Sequence, residues 1–156
     1  MNRKITRIIL ALLAGGMAWY GAFLFFFIYS GAQHILADPG IQSEKFIGVF
    51  ITEPLPRVAT EPNLLLCGIY MISSIGVLVF AFLSDKLKGG WFRKGITFGL
   101  LNWLMTIPWF EFYLPYNVMH EPLSLVLFEG LLWLGVLLTF ASAVSFILHF
   151  RMKNPR

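Results

Sequence analysis

Three carboxylates, an imidazole and two amides fall between Asn102 and Glu129 of an otherwise oily chain. The relevant runs are Pro108-Trp109-Phe110-Glu111-Phe112-Tyr113 and Asn117-Val118-Met119-His120-Glu121-Pro122, with Glu129 following. Such groups carry protons when their surroundings perturb them, and carboxylates also ligate hard cations. Glu129 is the most informative. If a helix begins near Pro122, Glu129 lies roughly 10 Å along its axis. An acid at the centre of a membrane helix costs about 2.5–3.5 kcal/mol and less near the ends, so it should face other helices and be protonated, paired or hydrated. Intramembrane acids are functional candidates by default; the plainer role is a glutamate that bonds a neighbouring helix for structure alone.

Glu111 sits near the end of the preceding apolar run, among Trp109, Phe110, Phe112 and Tyr113. Those aromatics resemble an interfacial belt. A negative charge at a helix C-terminus opposes the macrodipole and calls for compensation. Pro108 removes one backbone bond and frees the Leu104 carbonyl, which is more often a packing kink than a cation ligand. His120-Glu121-Pro122 reads as a helix start, with Glu121 suited to the positive end of the dipole. His120 and Asn117 belong to the same turn and can reach Glu111 and Glu129 if the flanking helices pack antiparallel. The candidate binding residues are therefore Glu129, Glu111, His120, Glu121 and Asn117. Asn102 and Thr106, one turn apart, are expected to bond another helix, worth about 0.6–1.7 kcal/mol. Gly135, Thr139 and Ser142 form a comparable weakly polar stripe that could meet them.

The donor types suit zinc or manganese, but the spacing matches no metal signature: there is no His-Glu-x-x-His, no Glu-x-x-His and no paired cysteine. His34 in the outer loop could add a second imidazole, though a loop fixes no spacing. His120 and His149 sit at opposite helix ends, too far apart to ligate one haem iron. No metal site is expected, and the cofactor, if there is one, is unknown from sequence. Nucleophilic triads, phosphate-binding loops and dinucleotide fingerprints are also missing, so an enzyme is not expected.

The elements that must position these groups are set by hydropathy. The chain is 58% hydrophobic with a mean hydropathy of +0.74. Soluble domains are roughly 45–50% apolar, and 156 residues are too few to hide the excess. Four apolar runs cover about 5–29, 63–83, 92–114 and 122–150, each long enough to span a bilayer as a helix. The first is too long for a cleaved signal sequence. Within it Ala14, Ala18 and Ala22 make a small-residue face for close helix approach. The outer loop 30–62 contains Pro39, Pro54, Pro56 and Pro62 and should hold structure of its own. Asp38-Pro39 suggests a helix start there, with Phe46, Ile47, Phe50 and Ile51 on one face. Cys67, the single cysteine, excludes an internal disulfide and reads as a small buried packing residue.

Charge sets the orientation. Arg3, Lys4, Arg7, Lys86, Lys88, Arg93, Lys94, Arg151, Lys153 and Arg156 fall on one side of a four-span layout; only Lys45 and Arg57 fall on the other. Basic loops stay cytoplasmic, which places both termini inside the cell and the chain in the inner membrane. The net charge of +4 thus reports topology, and nucleic-acid binding is excluded. Asp38, Glu44, Glu53, Glu61, Glu111 and Glu121 gather on the outer side, either as a solvated loop or as a vestibule that attracts cations.

The expected fold is all-α: a single domain of four transmembrane helices in an up-down bundle, with a short helix in the first extracytoplasmic loop. Its partners are the lipid bilayer and either further copies of itself or another membrane protein. Two functions remain open. One is a membrane protein that binds a cation, proton or small polar ligand at the outer cluster. The other is an accessory subunit of a larger complex in which the cluster fixes helix register. Layout alone does not choose between them.

Overall fold

Among the residues that the computed structural model describes, 3–150, the chain is helical and contains no strand. Helix α1 (Arg3–Phe23) continues as a wider π-helical turn over Leu24–Tyr29. Short helices α2 (Ala32–Leu36), α3 (Glu44–Ile47, prolonged as a π turn over Gly48–Thr52) and α4 (Arg57–Thr60) occupy the long connection. Helices α5 (Pro62–Leu83), α6 (Trp91–Glu111, prolonged by a π segment over Phe112–Val118) and α7 (Leu123–Phe150) complete it. Arg151, Lys153 and Arg156 lie outside the described residues, as do the side chains of Arg3 and Lys4.

Ile5–Tyr29, Pro62–Leu83 and Leu123–His149 are long and apolar enough to cross a membrane. Much of their surface is exposed and apolar, including Met17, Phe25, Ile72, Phe82 and Leu131. Contiguous apolar surface on this scale is the mark of a protein solvated by lipid. Helix α6 falls outside this set of three, because Arg93, Lys94, Asn102, Thr106 and Glu111 interrupt its apolar residues.

Helix α7 is the central element and packs most extensively on α6 and α1. Glycine explains the α6 contact. A Cβ on Gly95 would meet the Ser142 Cα at 2.8 Å, and one on Gly99 would meet the Leu137 carbonyl oxygen at 3.1 Å. Two backbones therefore touch. Trp91 accepts from Ser145 Oγ at 2.6 Å, and Trp103 Nε1 donates to the Gly130 carbonyl at 2.7 Å. Position rises on one helix as it falls on the other, so α6 and α7 run antiparallel.

On α1 the buried residues are Ala11, Gly15, Gly16, Trp19 and Ala22. They overlap the expected alanine stripe only at Ala22, because Gly15, one residue beyond Ala14, is the position that faces Val77, Phe140 and Val144. Those residues, with Phe80 and Val136, form the core. Helix α5 leans on α1 and only weakly on α6, touching it through the Phe80–Phe98 rings at 5.1 Å. Cys67 is exposed on α5, which corrects its reading as a buried packing residue. The buried residues of α5 are Ile69, Ser73, Val77 and Phe80, and Cys67, two residues before Ile69, falls on the opposite side of the helix.

The connection also differs in detail from its sequence reading. Asp38 does not start a helix: its Oδ1 accepts from Gly40 N at 2.8 Å in a tight turn. The helix begins six residues later at Glu44, where the Ser43 hydroxyl accepts from Phe46 N at 3.1 Å. Serine caps as well as aspartate, and Pro39 with Gly40 favours the turn.

Candidate functional site

The turn between α6 and α7 shapes the site. Met119 N donates to the Leu114 carbonyl and Glu121 N to the Pro115 carbonyl, each at 2.9 Å. Between them His120 adopts a left-handed backbone, with φ of 59°, a conformation histidine tolerates better than most residues. The Pro122 carbonyl then receives the first N–H groups of α7, from Leu125 and Val126. This chain reversal turns Glu121 inward, where it is 1% exposed. Its carboxylate is engaged by Gln42 rather than spent on capping α7.

Gln42 was not visible as a site residue from sequence. It is buried, and its Nε2 donates both to Glu121 Oε1 and to the Leu36 carbonyl, each at 2.9 Å. Its Oε1 accepts from Ser43 N at 2.8 Å, and Ser43 Oγ donates to the Met119 carbonyl at 2.6 Å. The long connection is thereby fastened to the α6–α7 turn by side chains with matched partners. One glutamine among the many polar residues of 30–62 carries no periodic signal that would single it out.

Glu111, at the end of α6, is 2% exposed. Neither of its carboxylate oxygens has a hydrogen-bond partner among the described residues, and nor does Glu121 Oε2. Glu129, two turns into α7, is half-buried and accepts from Trp133 Nε1 at a long 3.4 Å. The Trp133 ring is held by α1 and its π-helical continuation, with Phe27 at 4.9 Å, Trp19 at 5.5 Å and Phe23 at 6.0 Å between centroids. Its spacing of four from Glu129 was the signal for this partner, since such residues adjoin on a helix.

Glu111, Glu121 and Glu129 lie close enough to repel one another electrostatically. Burial pushes the Glu121 carboxyl above its ordinary value of 4.5, and the Gln42 hydrogen bond opposes this in part. By contrast, His120 and Asn117 are exposed. The structure therefore gathers the carboxylates and leaves the imidazole and the Asn117 amide at the surface. Among the described residues, no group of three or more His, Cys, Asp or Glu side chains is disposed to hold a metal ion.

Asn102 and Thr106 face a groove toward α5. The Thr106 hydroxyl donates back to the Asn102 carbonyl at 2.7 Å, and Thr139 does the same to Gly135 at 2.8 Å. Both threonines satisfy themselves on their own helix, whereas α6 approaches α7 through its glycines. Asp38, Glu44, Glu53 and Glu61 are exposed, so the acidic residues divide into a solvated set and a buried one. No protein-family model, characterised protein or solved structure matches this chain.

Proposed function

We propose that this chain is a four-span membrane protein that binds protons at an outer-facing cluster of Glu111, Glu121 and Glu129. In this reading α6 is the additional span, the helices alternate up and down, and both termini lie in the cytoplasm of a cell whose inner membrane holds the protein. The strong bias of lysine and arginine toward one set of loops supports that orientation. Embedded between α5 and α7 in the sequence, α6 has 21 residues, about 31 Å at 1.5 Å per residue, enough for the hydrocarbon layer.

The observation that carries the function is that both Glu111 oxygens and Glu121 Oε2 are buried with no donor among the described residues, beside the third carboxylate of Glu129. Negative charges so placed require compensation, because a low-dielectric site strengthens their repulsion. Among the described residues no group of three or more His, Cys, Asp or Glu side chains is disposed to chelate a metal, which favours the proton as the compensating charge. Each uptake or release then changes the charge beside the Gln42–Glu121 link. A proton-responsive sensor or small transport subunit fits that coupling.

A thermal-shift series of purified protein against pH and divalent cations tests it, since a ligand specific to the folded state stabilises it by mass action. The midpoint should move with pH, and Glu129→Gln should reduce that movement while the protein still folds. A midpoint unresponsive to pH removes the support. The second reading, an accessory subunit, draws on the matched bonds of Gln42 and Ser43, which fix helix register. It expects Glu129→Gln to abolish expression or partner capture instead.

A further inference from the structure

A groove of about 380 Å³ runs between α5 and α6, away from the carboxylate cluster, because α5 packs on α1 and meets α6 only weakly. Its α6 wall is Phe98, Leu101, Asn102, Met105 and Thr106, spaced as one helical stripe. The α5 wall is Ile72, Ile75, Gly76, Val79 and Leu83. Asn102 is the exception among them. Its side-chain amide makes no hydrogen bond among the described residues, near the middle of a helix read here as membrane-spanning. In hydrocarbon, an amide without partners costs several kcal/mol.

Few occupants can remove that cost. Closing the groove within one chain would bring up aliphatic side chains of α5 and at most the Gly76 carbonyl, which can accept one amide hydrogen but leaves the amide oxygen without a donor. A lipid acyl chain would fill the space and leave the amide unmatched. A carboxamide, however, both donates and accepts. Two such groups facing each other across a twofold axis satisfy one another by reciprocal bonds, and an isologous interface brings identical residues together at that axis. Met105, 79% exposed at the same stripe, supplies a flexible apolar knob beside it.

We propose that the α5–α6 groove is a homodimer interface in which the Asn102 amides of two copies pair within the membrane. The inference rests on α6 crossing the bilayer and is independent of proton binding at the carboxylate cluster. The α6 stripe of each copy enters the groove of the other. Hydrogen bonds between the copies then join the hydrocarbon contacts that hold membrane helices together.

Cross-linking and association measurements test it. In a Cys67→Ser background, Met105→Cys and, separately, Leu101→Cys should give disulfide-linked dimers on mild oxidation of membranes, while Leu131→Cys on α7 should not. Energy transfer between labelled copies in lipid vesicles should show a dimer that Asn102→Leu weakens about tenfold, the scale of one or two membrane hydrogen bonds. Asn102→Gln, which keeps a self-complementary amide, should retain most of the association. Monomeric behaviour of both groove cysteines overturns the proposal, as does an Asn102→Leu dimer as tight as the unaltered one. A monomer that purifies with lipid in the groove also overturns it. A chain soluble without detergent would instead overturn the membrane reading beneath it.

Discussion

Gln42 Nε2 donates to Glu121 Oε1 at 2.9 Å, joining residues 79 positions apart. The bond links the centre of the long connection to the turn that carries two of the three clustered carboxylates at its edges. Both partners are buried, so the bond is shielded from competing water and its loss leaves polar atoms unmatched.

Replacing Gln42 with leucine should cost about 1–3 kcal/mol, because the Glu121 oxygen and the Leu36 carbonyl both lose a donor. The loss should appear first in the connection. Hydrogen exchange should rise over 36–46 and around Met119 before it rises in α1 or α7, which share no bond with Gln42. Equal protection in the variant would separate the link from the ordering of the connection.

Glu121 also gives the docked connection a pH dependence of definite sign. Its carboxyl is raised above 4.5 by burial, so the folded state holds that proton more tightly than the unfolded chain. Its stabilising effect is complete below the unfolded value and is lost as pH rises through the folded one. Stability should therefore fall on going from acid toward neutral pH. Glu121→Gln, which can still accept from Gln42, should flatten this part of the profile in thermal unfolding.

Helix spacing can be probed with glycines that differ only in surroundings. Gly95→Ala places a Cβ against the α7 backbone, which cannot give way as a side chain can, and should destabilise by about 1–3 kcal/mol. Gly68→Ala on α5 meets nothing within 4 Å. It should be neutral or stabilising by up to about 1 kcal/mol, since alanine is the better helix former. Detergent-melt midpoints should separate the two variants in that direction.

Topology can be read directly from accessibility. Reporters fused at either end should be active on the cytoplasmic side, and one inserted after Glu53 should be active outside. A C-terminal reporter active outside would mean that α6 does not cross.

The helical class and the three most apolar helices were legible because lipid solvation leaves long uninterrupted runs, the strongest signal a sequence offers. Glu129 stood out by the cost of placing an acid beside hydrocarbon and Glu111 by its charge at a helix C-terminus, whereas Glu121 read as a helix start. Their common location depended on the turn geometry, which rests on a left-handed His120 that no spacing rule requires. Gln42 was hidden for a different reason: its partner lies in another element, and a connection has no period from which to infer an inward face. On α1 the expected alanine stripe missed the buried Gly15 by one residue. Gly95 and Gly99, which bring the α6 backbone against that of α7, belonged to no stripe read from the sequence, although removing a Cβ matters most where backbones touch.

Infrared spectroscopy of the protein in lipid vesicles tests proton binding at the cluster most directly, since a protonated carboxyl absorbs apart from a carboxylate. At neutral pH the unaltered protein should retain a carboxylic-acid band that titrates, although a free glutamate side chain is ionised there. Glutamine substitutions at Glu111, Glu121 and Glu129 should together remove it. A spectrum with no such band at neutral pH, or one that persists without those glutamates, would contradict the account.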